Sequence, residues 1–175
     1  KIKMSILKPN LETAPDYFKR YISLCQEDDL IDAFNNSELE TTNLFNTFIE
    51  LEKENYRYQE TKWTVKEVLV HIIECERIFA YRALRFSRRD ATALMGFDEN
   101  EYIPNSNIIS REISKILLEY LIVRKSSTLQ YQYFTDEMLD FKGTSNQLSV
   151  NARELGWMIA GHNRHHLNVL KERYL

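Results

Sequence analysis

Residues 64–89 read TVKEVLVHIIECERIFAYRALRFSRR. Thr64 stands three residues before Glu67, the spacing of a capping box, in which the two side chains satisfy each other's backbone N–H groups at a helix start. Apolar residues then recur at helical spacing, and no glycine or proline interrupts them. The stretch is therefore a long amphipathic helix. Its basic end, RALRFSRR, suits a helix C-terminus, where cations are favoured by the dipole.

Working outward, three more segments carry the same signature. Residues 30–55 place Leu30, Phe34, Leu44, Phe45, Phe48 and Leu51 mostly at helical spacing. Residues 110–134 form the third long helix, with Ser110 as its expected N-cap, and residues 150–175 the fourth, with Ser149 as its expected cap. APDYFKRYISLC, residues 14–25, is a short extra N-terminal helix with aromatic residues on one side. Between helices lie YRYQETKW (56–63), the loop of residues 90–107 and the connection of residues 135–149. The expected fold is all-α: a four-helix bundle with a short N-terminal helix, one domain over residues 1–175. The tight first connection predicts that helices one and two are antiparallel neighbours.

Composition agrees. The chain has 175 residues, 43% apolar and 28% charged, with only 4 Gly and 3 Pro. So few breakers argue against a many-stranded β fold. A net charge of -3 gives no electrostatic footprint for nucleic acid. No apolar run is long enough to span a membrane. The first ten residues lack the apolar core and cleavage site of a signal peptide. Cys25 and Cys75 form no CxxC pair and read as buried thiols in a reducing compartment, so a cytoplasmic location is expected.

Three of the four histidines fall within ELGWMIAGHNRHHLNVLKERYL, residues 154–175. At roughly 100° per residue, Leu155, Ile159, His166 and Val169 lie within about 60° of His162. His162 and His166 therefore share the core-facing stripe, while His165 sits about 60° away on the other flank. An i, i+4 pair of imidazoles can reach one metal ion, or it can be a satisfied core pair. The fourth histidine, His71, stands at the margin of the apolar stripe of residues 64–89, beside Val68, Cys75 and Ile78. Buried imidazoles need partners for both nitrogens, and a metal would satisfy several at once. Three imidazoles plus an open position are a catalytic-type set.

KWTVKEVLVHIIECERIFAYRALRFSRRD (62–90), GFDENEY (96–102) and residues 154–175 together resemble the DinB-like superfamily. Residues 8–22 and 56–63 are similar to it as well. The resemblance implies a four-helix bundle with a divalent metal, zinc or nickel, on three histidines. The family's ligand positions match His71, His162 and His166, and leave out His165. Relatives include S-transferases that use bacillithiol, mycothiol or glutathione, and others assigned as metal-dependent hydrolases. The resemblance thus implies a small-molecule substrate, a low-molecular-weight thiol as co-substrate in the transferase case, and a homodimer; the family name implies no DNA binding.

Three functions fit these readings. One is a metal-dependent enzyme, a hydrolase or thiol S-transferase, with substrate entering near residues 90–102. Glu67 and Glu74 flank His71 and either orient it or form a solvated face; Arg82 and Arg85 either attract an anionic carboxylate or serve the helix end. The second is a non-catalytic metal-binding stress-related protein. The third is a dimeric structural module drawing on 10 Tyr and 9 Phe.

Overall fold

The computed structural model describes residues 5–175. Four long helices form the bundle: α2 (Leu30–Glu50), α3 (Val65–Ser87), α5 (Ile113–Tyr131) and α7 (Ala152–Arg173). The short α1 (Asp16–Ile22) precedes them and packs on α7. Two further short helices, α4 (Glu99–Tyr102) and α6 (Asp136–Asp140), lie in the connections.

The helix starts follow local chemistry. Thr64 and Glu67 form the expected capping box: the Glu67 carboxylate accepts from the Thr64 backbone N–H at 2.6 Å, and the Thr64 hydroxyl accepts from the Glu67 N–H at 3.3 Å. The other two expected caps are displaced. Ser110 ends a 3₁₀ turn (Ile108–Ser110), and α5 begins only after Glu112, without a side-chain cap. Ser149 lies in a strand, and the cap of α7 is Asn151, in a second capping box with Glu154 at 2.8 Å in both directions. In both places the chain takes another hydrogen-bonded form before the helix begins.

The first connection also differs from expectation. α2 stops at Glu50, where Glu52 adopts a left-handed φ of 53° and the Lys53 N–H reaches back to the Phe48 carbonyl at 2.9 Å, a Schellman-type end. Residues 51–64 are then long enough to cross the end of the bundle. As a result α2 and α3 are not neighbours. Each packs on both α5 and α7, so they face one another across the diagonal. Pairings along the helices give the directions. α3 runs parallel to α5, with Arg77 on Glu119 at 2.6 Å and Gln130 on the Ala80 carbonyl at 2.9 Å. It runs antiparallel to α7, where Tyr174 donates to the Trp63 carbonyl at 2.8 Å.

A polar layer divides the core into two apolar clusters. Arg124, fully buried, forks onto Glu76 at 2.9 and 2.8 Å and reaches Asn163 at 3.0 Å. Asn163 also takes the Tyr120 hydroxyl at 2.8 Å and donates to Thr41 at 3.0 Å. All four long helices meet in this layer.

The last connection holds a small hairpin, β1 (Gly143–Ser145) and β2 (Leu148–Val150), that helical periodicity does not announce. Its two turn residues, Asn146 and Gln147, both have positive φ, as a tight hairpin turn requires. Leu94 bridges to Ser145, which fastens the 90–102 loop against the hairpin. No helix among the described residues is long and apolar enough to cross a membrane.

Candidate metal centre

α3 and α7 run antiparallel at the point where His71 meets His162 and His166. His162 and His166 are one turn apart on the inward face of α7, as their spacing predicts. The three Nε2 atoms form a triangle with every edge 3.1 Å. A triangle of that edge has a circumradius of about 1.8 Å, below the ~2.0–2.1 Å of a metal–imidazole bond, so one ion can touch all three. Three nitrogens this close cannot all carry protons. A shared cation is the chemistry that uses three converging lone pairs. Among the described residues, His71, His162 and His166 are the group of side chains close enough together that they could hold a metal ion.

Burial keeps these imidazoles neutral. It pushes His71 down to about 4, and the charge of His165 adds to the effect. His162 and His166 are pushed well below the usual histidine range, first by burial and then by neighbouring imidazoles. The neutral ring is the form that ligates a divalent metal.

His165 stays outside the triangle. It is half-buried, with its ring edge-on to Tyr21 at 5.2 Å between centroids. Glu67 is spent on the helix cap, and Glu74 does not line the cavity beside the triad. Arg85 pairs with Asp90 near the surface, whereas Arg82 is buried and lines that cavity.

The cavity is about 540 Å³ and opens on the three histidines. Its floor is one stripe of α3: His71, Cys75, Phe79 and Arg82, at spacings of four, four and three residues. Tyr17, Phe18 and Tyr21 of α1 form one wall; Phe97 and Glu99 of the loop and Asn146 of the hairpin form another. Trp63 packs at 4.8 Å from the His71 ring. The Cys75 thiol lies 3.6 Å from His71 Nδ1, and burial pushes its pKa up, so it is a neutral thiol. Cys75 and Phe79 follow His71 at helical repeats and were open to sequence reasoning on that ground. The α1 and hairpin walls have no such local signal, because tertiary docking brings them in.

A helical bundle with an inward histidine triangle that could hold a metal, facing a cavity, is the arrangement the fold presents. The chain belongs to the DinB superfamily, whose family model matches residues 33–170. Among solved structures it is similar to YfiT from Bacillus subtilis, a probable metal-dependent hydrolase with an unusual four-helix bundle topology. The TM-score is 0.73 at 14% identity, over 94% of this chain and 90% of that one, a likeness of fold. Among curated proteins none matches.

Proposed function

We propose that this protein is a metal-dependent enzyme of the hydrolase or thiol S-transferase type, with His71, His162 and His166 as ligands to zinc or nickel. The observation that carries this reading is the 3.1 Å triangle of neutral Nε2 atoms at the wall of a cavity large enough for a small molecule. Three protein donors leave a divalent ion open to a further ligand, as in catalytic rather than structural sites. When bound, such an ion supplies Lewis acidity, which lowers the pKa of a water or thiol and polarises an electrophile. The chain's own residues do the rest. α1 and the hairpin wall off solvent, the aromatic lining takes an apolar body, and the neutral Cys75 adds no competing charge beside His71. The description of the structural relative as a probable metal-dependent hydrolase favours the same class.

The reading extends to partners. Leu118, Ile122 and Leu129 form an exposed apolar stripe on α5, which suits a homodimer. The two unpaired buried thiols, Cys25 and Cys75, suit the cytoplasm.

Elemental analysis of protein purified without a histidine tag, followed by assays of ester hydrolysis and of thiol conjugation to an aromatic halide, tests this function. One equivalent of zinc or nickel and turnover in either assay are expected. Metal without turnover in either assay would favour the non-catalytic metal-binding alternative, and absence of any metal would sink the whole reading.

A further inference from the structure

The described residues contain three buried arginines, and two of them are neutralised. Arg124 sits on Glu76 and Arg164 on Glu27. Arg82 is the exception. It is only 6% exposed, and no carboxylate lies within ion-pair distance of it among the described residues. Its contacts are one Nη2 hydrogen bond to the Met95 carbonyl at 2.7 Å and the face of Phe97, 5.8 Å from the ring centroid. A guanidinium has five N–H donors. No buried side-chain nitrogen among the described residues lacks a partner, so the donors of Arg82 that Met95 does not take still reach solvent. Burial without a counter-ion pushes its pKa down, while Arg124 and Arg164 are pushed up by their carboxylates.

Arg82 lines the same cavity as the histidines, and among the described residues it is the one Arg or Lys that does. Its place is fixed by α3: eleven residues after His71 is about three turns, within ~20° of the same face. The two α-carbons are roughly 16 Å apart along the axis, and the arginine side chain leans back toward the helix N-terminus. A ligand reaching from one to the other must be elongated. Between them the cavity offers Phe79 and the aromatic wall of α1.

We propose that Arg82 is the anion-recognition residue of this cavity, and that the ligand is an elongated molecule with an apolar or aromatic body and a terminal carboxylate docked on its guanidinium. One cation, with Glu99 also on the lining, matches a monoanion and would leave a phosphate dianion under-compensated. The carboxylate belongs either to the substrate or to an acidic thiol co-substrate; the two share this chemistry. The proposal rests on the metal-site reading for what happens at the far end of the ligand, but not for the carboxylate contact itself.

The test is calorimetric titration with 3-phenylpropanoate and 3-phenylpropanamide, which differ only in the charged end. It is run on protein as purified and after chelator treatment, for wild type, Arg82→Gln and Arg82→Lys. Wild type should prefer the acid by about 10- to 100-fold, the worth of a hydrogen bond to a charged group, in both metal states. Arg82→Gln should abolish the preference and Arg82→Lys retain part of it. A full preference in Arg82→Gln, or none in wild type, overturns the proposal. So does a wild-type preference that vanishes with the metal, since the carboxylate would then sit on the ion. If Arg82→Gln does not fold, the Arg82 side-chain N–H resonances of wild type decide: they should move with the acid and stay still with the amide, and the reverse rejects the contact. A metal-free purified protein with an intact Arg82-dependent preference would reject the metal function and leave this inference standing. Repeating the titration with N-acetylcysteine and its amide separates the sources: a preference confined to the phenylpropanoate pair assigns the carboxylate to the substrate, and one shared by the thiol assigns it to the co-substrate as well.

Discussion

His71 and His166 are 95 positions apart in the chain, yet their Nε2 atoms lie 3.1 Å from each other. Helix α7 supplies His162 on the same face, so three donors converge on a single point. Each of His71→Ala, His162→Ala and His166→Ala should lower metal affinity by at least about 100-fold, beyond the roughly 10- to 100-fold that loss of an outer partner costs. His165→Ala should leave metal content near wild type, because its ring points at Tyr21 rather than into the triangle. Elemental analysis of the four variants checks this. Equal loss in all four would mean that the cluster binds metal as a loose surface group.

Gly161 is where α1 meets α7. A methyl group there would run into the backbone carbonyl of Tyr21 and the Ile22 amide, which cannot rotate away. Gly161→Ala should destabilise the protein by about 1–3 kcal/mol, the usual cost of overpacking, despite the better helix propensity of alanine. The same variant should weaken ligand binding in the cavity, since Tyr17, Phe18 and Tyr21 ride on α1, while metal content stays at the wild-type level. Urea titration and calorimetry together read both effects. A variant as stable as wild type would mean that α1 docks elsewhere in solution.

These two sites differ in how far they can be read from sequence. The inward pair His162/His166 follows from helical spacing within α7 and is local, whereas spacing places His71 only at the margin of the apolar stripe of α3, and the family resemblance joins it to the pair. The wall that Gly161 makes room for is not local, because nothing in DYFKRYI says which helix it will cover. The same divide explains the other differences. Glu52 and Arg89 take left-handed φ values at the ends of α2 and α3, where a glycine would have marked the stop. Asn151 rather than Ser149 caps α7, because Ser149 is first engaged by Thr144 in the hairpin. α5 has apolar residues on both its buried and its exposed face, so its periodicity could not say which helices it touches. That α2 and α3 are diagonal rather than adjacent depends on the length of residues 51–64, which a misplaced helix end conceals.

Arg124 and Glu76 form the centre of the polar layer that divides the core. Removing one partner strands the other charge in a dry interior, so Arg124→Met should cost about 3–5 kcal/mol. Replacing both, as Arg124→Met with Glu76→Leu, should recover part of that loss, because the pair's own desolvation penalty disappears with it. Equilibrium urea unfolding measures both variants. If the double variant is no better than the single, the remaining polar groups, Asn163 and Tyr120, must depend on Arg124 for their own partners.

Glu27 holds Arg164 in a fork, with both oxygens 2.6 Å from guanidinium nitrogens, and Asn36 donates to the same carboxylate at 2.8 Å. The hydrogen bonds from Arg164 are the main reason that its pKa falls from 4.5 to about 2. In the unfolded chain the carboxylate takes a proton first as pH drops, so the folded state loses ground. The stabilisation is therefore complete above about pH 4.5 and is lost progressively toward about pH 2. Glu27→Gln should be less stable than wild type by about 1–2 kcal/mol at pH 7, given a partly solvated pair. The difference between the two proteins should narrow through pH 4 and 3 and nearly close by pH 2. Paired urea titrations at these pH values measure that difference directly and cancel the acid sensitivity shared by both. A gap that stays constant with pH would show that Glu27 contributes through packing rather than through its charge.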